Sequence, residues 1–150
     1  MPKNRLSLDF EGFTEVLNKL EKIGKDSNHT AETALIESKH YVHRNLESAM
    51  AVHNRTGRTE RSLHYQDKVE WTGNIAEMGV GFDISEGGLP SIFLMYGTPK
   101  MSPDKKLYNA IFGNKTRKEI SQIQEKIFRN YLRKVMKMYI LSLFSRISAV

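Results

Sequence analysis

The sequence predicts an α+β fold with two N-terminal helices, a small antiparallel β-sheet of three or four strands, and a long C-terminal helix packed on the sheet. Three observations carry this reading. Apolar residues recur at intervals of three and four near both ends of the chain, which is the period of one helix face. In the middle the pattern changes to alternation, the period of a strand with one buried side. Clusters of Gly, Pro and Asn punctuate each change. We read residues 1–150 as one domain, helical over 1–54, sheet over 60–98 and helical again over 104–148. A chain of this length buries enough surface to build a core without covalent or metal staples.

The first helix is predicted from Phe10, Phe13, Val16, Leu17, Leu20 and Ile23, with Gly24 as its stop. Lys25-Asp26-Ser27-Asn28 reads as a polar connection, and Ser27 or Asn28 is available to cap a second helix that begins near Thr30 and ends before Gly57. Its apolar face is Ala31, Ala34, Leu35, Tyr41, Val42, Leu46, Ala49 and Met50. From Ser62 to Trp71 the residues suit a pleated surface, and Thr72-Gly73-Asn74 marks a hairpin turn before Ile75. In the second arm Ala76, Met78, Val80 and Phe82 alternate with Glu77, Gly79, Gly81 and Asp83. Ser85-Glu86-Gly87-Gly88-Leu89-Pro90 reads as an exposed loop, and Ile92–Tyr96 as a third strand ended by Gly97-Thr98-Pro99. A brief helix is expected from Asp104 to Phe112, and a long one from Thr116 to about Ile147. The stripe of the long helix is Ile120, Ile123, Ile127, Phe128, Tyr131, Leu132, Val135, Met138 and Tyr139. Met138 to Phe144 is apolar on more than one side, so this end is expected to be deeply buried or in a subunit contact.

Composition narrows the class of function. Hydrophobic residues make up 39% and charged residues 27%, the ordinary balance of a soluble globular domain. Cysteine is absent, which excludes disulfides and fits a reducing compartment. No run of about 18 apolar residues occurs and the N-terminus lacks an apolar signal core, so we expect neither a membrane span nor secretion, and place the chain in the cytoplasm. The net charge is +6, and it is concentrated: residues 115–150 hold nine Lys/Arg against two Asp/Glu, while the two preceding stretches, 1–50 and 51–114, nearly balance. A local basic surface points to an acidic partner or nucleic acid.

The short motifs read first as scaffold. Gly57 permits a positive φ between helix and strand, with Thr56 and Ser62 offering hydroxyls to orphan backbone groups there. Gly97 permits a tight exit from the apolar run, and Thr98 and Pro99 shape the turn that follows.

Arg55-Thr56-Gly57-Arg58-Thr59-Glu60-Arg61-Ser62-Leu63 resembles the Thr-Gly-x-Leu-x-x-Ser element of head-to-tail joining proteins of long-tailed phages, the neck or tail-completion components. Downstream, Tyr96-Gly97-Thr98-Pro99-Lys100-Met101-Ser102-Pro103 resembles the same family's Glu-(Phe/Tyr)-Gly-Thr-x-x-Met-x-x-x-Pro element. Thr59 stands where the family has Leu, and Met95 where it has an acidic residue. The likeness in order and layout extends from about residue 8 to 112. It implies a non-enzymatic structural protein of virion assembly that adds to the phage connector or tail as one subunit of a ring, six-fold in the family. It also implies a location in the host cytoplasm during assembly and at the virion head-tail junction afterwards. On this reading the candidate subunit contacts are Glu86, Gly87, Gly88 and Leu89 in one loop and Lys100 and Met101 in the other.

Two further chemistries find partial support in the residues. His40 and His43 stand at i, i+3 on one helix, a spacing two metal ligands can use, but no Cys and no adjacent acidic cluster accompany them, and we expect no metal. No phosphate-cradling loop or nucleophile elbow occurs, so neither catalysis nor a cofactor is expected. The alternative from another class is a small basic DNA-binding accessory protein. Lys118, Lys126, Arg129, Arg133 and Lys137 share one side of the predicted C-terminal helix and could neutralise phosphates, with Arg55, Arg58 and Arg61 as a second cluster. DNA in the channel of a neck ring would make the two readings compatible.

Overall fold

The computed structural model describes residues 27–63 and 66–148. The predicted first helix, Phe10 to Ile23, lies outside the described residues. Helix α1 spans Ser27–Met50 and continues into a 3-10 turn, Ala51–His53. Ser27 and Asn28 are already helical, not caps. Every predicted face residue of α1 is buried except Tyr41, which is half-buried, because the three-and-four spacing keeps them on one stripe. At 24 residues α1 is about 36 Å long, and the rest of the fold is arranged along it.

Two apolar clusters divide that length. Around its first half, Ala31, Ala34 and Leu35 pack with Ala76 and Met78 of the hairpin and with Phe128. Around its second half, Val42, Leu46, Ala49 and Met50 pack with Leu63, Val80, Phe82, Met95, Leu107, Ala110, Ile111 and Ile120. The small Ala residues let neighbouring elements approach closely, and the apolar surface they remove from water is worth about 25 cal/mol per Å².

The sheet is smaller than the sequence suggested. It consists of β1 (Val69–Thr72) and β2 (Ile75–Met78), antiparallel, with Trp71 opposite Ala76 and Thr72 opposite Ile75. The turn signal is correct: Gly73 takes φ 61 in the two-residue connection. Val69, Trp71, Ala76 and Met78 face the first cluster, and the Trp71 indole donates to Glu32 at 2.9 Å. Beyond Met78 the alternation still buries Val80 and Phe82, but pairing is reduced to a single bridge between Leu63 and Phe82.

The expected third strand is a helix. Ile92–Tyr96 lies inside α3, Leu89–Tyr96, which follows a short helix α2 (Arg58–Arg61) and a π-type turn at Ile84–Gly88. A five-residue apolar run carries no periodicity that separates strand from helix. Pro90 in the first turn and Gly97 just past the last one are helix-end signals, and they prevail here. Helix α4 spans Lys105–Phe112, and α5 spans Asn114–Ser148, matching the predicted helices to within two residues at the printed ends.

Helix α5 packs chiefly along α1 and not across the sheet. Ile127, Phe128, Tyr131 and Leu132 reach the flank of the first cluster, while a buried polar seam joins the two helices. Ser38 donates to the Ala34 carbonyl at 2.7 Å and accepts from Gln124 Nε2 at 3.4 Å. The reason is geometric: α1 offers a long stripe, whereas two four-residue strands offer too little surface to carry a 35-residue helix. In the apolar end of α5, Ile140 and Leu141 are 48% and 60% exposed, as is Met136 at 62%, so these side chains are not buried in the monomer.

Candidate functional site

The two motifs meet around α3. In the first, Gly57 adopts φ 70, ψ 0 and lets the chain turn into α2. The Thr56 hydroxyl accepts from the Arg58 amide at 3.5 Å, and the Ser62 hydroxyl donates to the Thr59 carbonyl at 2.6 Å. Arg61 folds back to donate to the carbonyls of Gly57 (3.2 Å) and Thr56 (3.1 Å), so it serves the turn. The junction is therefore between two helical segments, where the sequence suggested helix and strand.

From α2 the contacts pass to the Gly-rich segment. Thr59 Oγ1 donates to the Gly87 carbonyl at 3.3 Å, and a Cβ at Gly87 would lie 2.8 Å from the Arg58 side chain. Gly88 is buried against the Asp83 backbone, with 2.5 Å separating the Asp83 carbonyl from where a Cβ would be. Asp83 accepts from the Ser85 amide and hydroxyl at 2.9 and 2.6 Å, and Ser91 donates to the Gly88 carbonyl at 2.6 Å. The segment expected to be an open loop is thus a built corner that starts α3. Of the candidate contacts on it, Glu86 and Leu89 are exposed, Gly87 is half-buried and Gly88 is buried.

The second motif ends α3. Gly97 closes the helix by donating to the Phe93 carbonyl at 2.8 Å, then takes φ 75, ψ 177. Thr98 and Met101 exchange backbone hydrogen bonds of 2.8 and 3.1 Å, and the Thr98 hydroxyl accepts from the Lys100 amide at 3.3 Å. Asp104 donates its amide to Leu94 at 2.7 Å and caps α4 by accepting from Leu107 at 3.1 Å. Its carboxylate also meets His53 Nε2 at 2.5 Å, which ties the end of α1 to the start of α4 and holds the Asp104 carboxyl below its usual range.

Held at both ends, α3 turns one side outward. Met95 and Ser91 are buried, while Leu89, Phe93 and Tyr96, at i, i+4 and i+7, are 45%, 47% and 53% exposed. Met101 and Tyr108 extend this surface, with Tyr108 edge-on to Tyr96 at 5.9 Å and tilted against Phe112 at 5.1 Å. Contiguous exposed aromatic and aliphatic surface of this kind marks an interaction site. Leu89 and Met101 are candidate contacts in the sequence reading, and Tyr96 enters it as part of the second motif. Phe93 and Tyr108 were missed because reading 92–96 as a strand scattered them. The Leu89/Phe93/Tyr96 helical spacing was the available signal.

The basic candidates form a second surface. Lys118, Lys126, Arg129, Arg133 and Lys137 are all exposed on α5, opposite buried Ile120, Gln124 and Phe128. Arg129 pairs with Glu125 at 2.5 Å, and Gln122, Glu125, Lys126, Arg129, Asn130 and Arg133 line a shallow open groove. Of the other cluster, Arg58 and Arg61 are engaged by the motif turns described above.

Comparison with family models, with curated proteins and with solved structures finds no match to this chain.

His40 and His43 diverge. His40 stays partly exposed and pairs with Asp67 at 3.2 Å, whereas His43 is buried. Beside them the buried Lys39 ammonium donates to the Gln66 carbonyl and sits 3.4 Å from Asp67, and burial lowers its pKa against the pull of that carboxylate. Among the described residues no group of three or more His, Cys, Asp or Glu is placed to hold a metal ion, and no helix is long and apolar enough to cross a membrane.

Proposed function

We propose that this chain is a non-enzymatic subunit of the head-to-tail junction of a long-tailed phage, a neck or tail-completion component that assembles as a ring and acts by surface complementarity. The observation that carries the reading is the arrangement around α3. The two segments that resemble the joining family anchor opposite ends of one short helix, whose free side is an aromatic and aliphatic contact surface. The hydroxyls and glycines of these motifs are spent on backbone turns, which suits a part whose task is to present a face rigidly. Ring assembly needs two different patches on each subunit. The test is electron microscopy of lysates from a phage-producing strain with this coding sequence disabled. Filled heads and complete tails lying apart, rejoined when the chain is supplied in trans, is the expected result; normal infectious particles would overturn the joining role.

A second reading, direct DNA contact, is favoured by the one-sided exposure of the five α5 cations. If all five neutralise phosphates, log K for duplex DNA falls against log salt with a slope of about −4.5. Replacing Lys126 and Arg133 by Gln then reduces that slope by about 2, as measured by fluorescence anisotropy over a salt series. A slope near zero for the unaltered chain sinks this reading.

A further inference from the structure

We infer that the outward face of α3 is the seat for residues 8–23 of a second copy of this chain, so that neighbouring subunits are joined by an N-terminal arm. The inference rests on the ring reading above and deepens it by naming which surfaces meet. The face is apolar in its middle, at Leu89, Phe93, Tyr96, Met101 and Tyr108, and presents roughly 400 Å² by the usual size of such side chains. Its rim on the Met101 and α4 side is cationic, with Lys100, Lys105 and Lys106 all exposed. Lys105 and Lys106 occupy the first turn of α4, the helix end where the backbone dipole disfavours cations, with no acidic residue in that turn and Asp104 at its N-cap. A partner that fits is therefore an apolar stripe bordered by carboxylates.

The chain carries such a sequence. Phe10, Phe13, Val16, Leu17, Leu20 and Ile23 supply the stripe, and residues 8–23 hold four carboxylates, Asp9, Glu11, Glu15 and Glu21, against two lysines. An amphipathic segment laid into an apolar surface is a common recognition mode. The other surfaces of a second copy fit less well. Face against face sets the rim lysines against each other or, at best, against Glu86, where residues 8–23 offer four carboxylates, and the exposed end of α5 carries Lys134 and Lys137 beside Met136. The four-residue link to Ser27 holds only the Ile23 end of the stripe back from α3 of its own copy, so seating the whole stripe there favours a neighbour. Ile23 precedes Ser27 by four residues, about 14 Å at full extension, and Ser27 is at the hairpin end of α1. Met95 of α3 packs in the cluster around the other half of that helix, which is about 36 Å long. A contact between unlike surfaces propagates head to tail, as a ring requires.

The absence of cysteine makes the test direct. Full-length Leu17→Cys and Phe93→Cys variants are mixed and oxidised, and the linked species are mapped by mass spectrometry. We expect a dimer linked 17 to 93, in about tenfold excess over 93 to 93 because like-charged rims repel. Three results overturn the proposal. These are no 17–93 dimer up to about 1 mM chain, where even a millimolar contact half-assembles; a predominant 93–93 dimer; or a 17–93 link within one monomer of the double variant. The joining role is judged separately on the lysates. Separated heads and tails with no 17–93 link would retire this contact and keep the role, whereas a 17–93 dimer with normal particles would keep the contact and retire the role.

Discussion

Gly97→Ala is expected to lose about 3 kcal/mol of stability, read as a lower urea midpoint with an unchanged m-value. Two independent penalties combine at this position. The backbone holds φ 75 with ψ 177, a region that is open to glycine and strained for any residue with a Cβ. A Cβ there would also lie 2.7 Å from the Met101 carbonyl oxygen and 2.9 Å from Pro103 N and Cδ, and these are backbone and ring atoms with no rotamer to yield. Gly73→Ala is the control. It shares a positive φ, 61, but nothing lies within 4 Å of its Cβ position, so about 1 kcal/mol is expected. Equal losses at the two sites would show that the close approach of the 98–103 turn to Gly97 is wrong. Because that turn carries Met101 and leads into Asp104, the same substitution should also disturb the α3 face.

Stability should fall by up to about 3 kcal/mol as pH drops from 6.5 to 4, through His43. Burial, reinforced by the nearby Lys39 ammonium, pushes this imidazole from its ordinary 6.5 down to about 4, against the weaker pull of Glu47. His40 lowers it further and Asp67 raises it, both by less. Between these two values the unfolded chain binds a proton that the folded chain does not. The contribution is therefore fully present above pH 6.5 and is lost progressively as pH falls through 4. His43→Gln removes the titration, so urea midpoints measured at pH 7, 5 and 4 should converge toward a flatter profile in the variant. An identical acid slope in both proteins would mean that His43 gains its proton as readily in the fold as in the unfolded chain. Asp104 does not confuse this window. Its carboxyl is held below the usual 3.8, first by the hydrogen bond from His53, and its contribution is lost only at lower pH.

The α3 region shows where sequence reading ended. Gly57, Gly97, Thr56 and Ser62 were legible as turn residues because their chemistry is local: a positive φ or a hydroxyl two or three residues from its backbone partner. Leu89 and Met101 are candidate contacts only through resemblance and exposed-loop reasoning, and Tyr96 only as part of the second motif. That they form one surface with Phe93 and Tyr108 depends on contacts between α3, the 98–101 turn and α4. The basic stripe needed only the helical period of α5, which is why it appeared correctly in advance.

Local chemistry in the sequence alone determined α1, α4 and α5, the Gly73 turn, the buried stripe of α1 and the sidedness of the α5 charges, since each depends on residues within a few positions of one another. Tertiary structure decided the rest. Whether Ile92–Tyr96 becomes strand or helix rests on whether a sheet edge or the second apolar cluster beside α4 receives it, and a short apolar run satisfies either. The same is true of α5, which lies along α1 because a 24-residue helix offers more continuous apolar surface than a hairpin of two four-residue strands. The exposed side of α3 is what remains of that run after its other side has found the core.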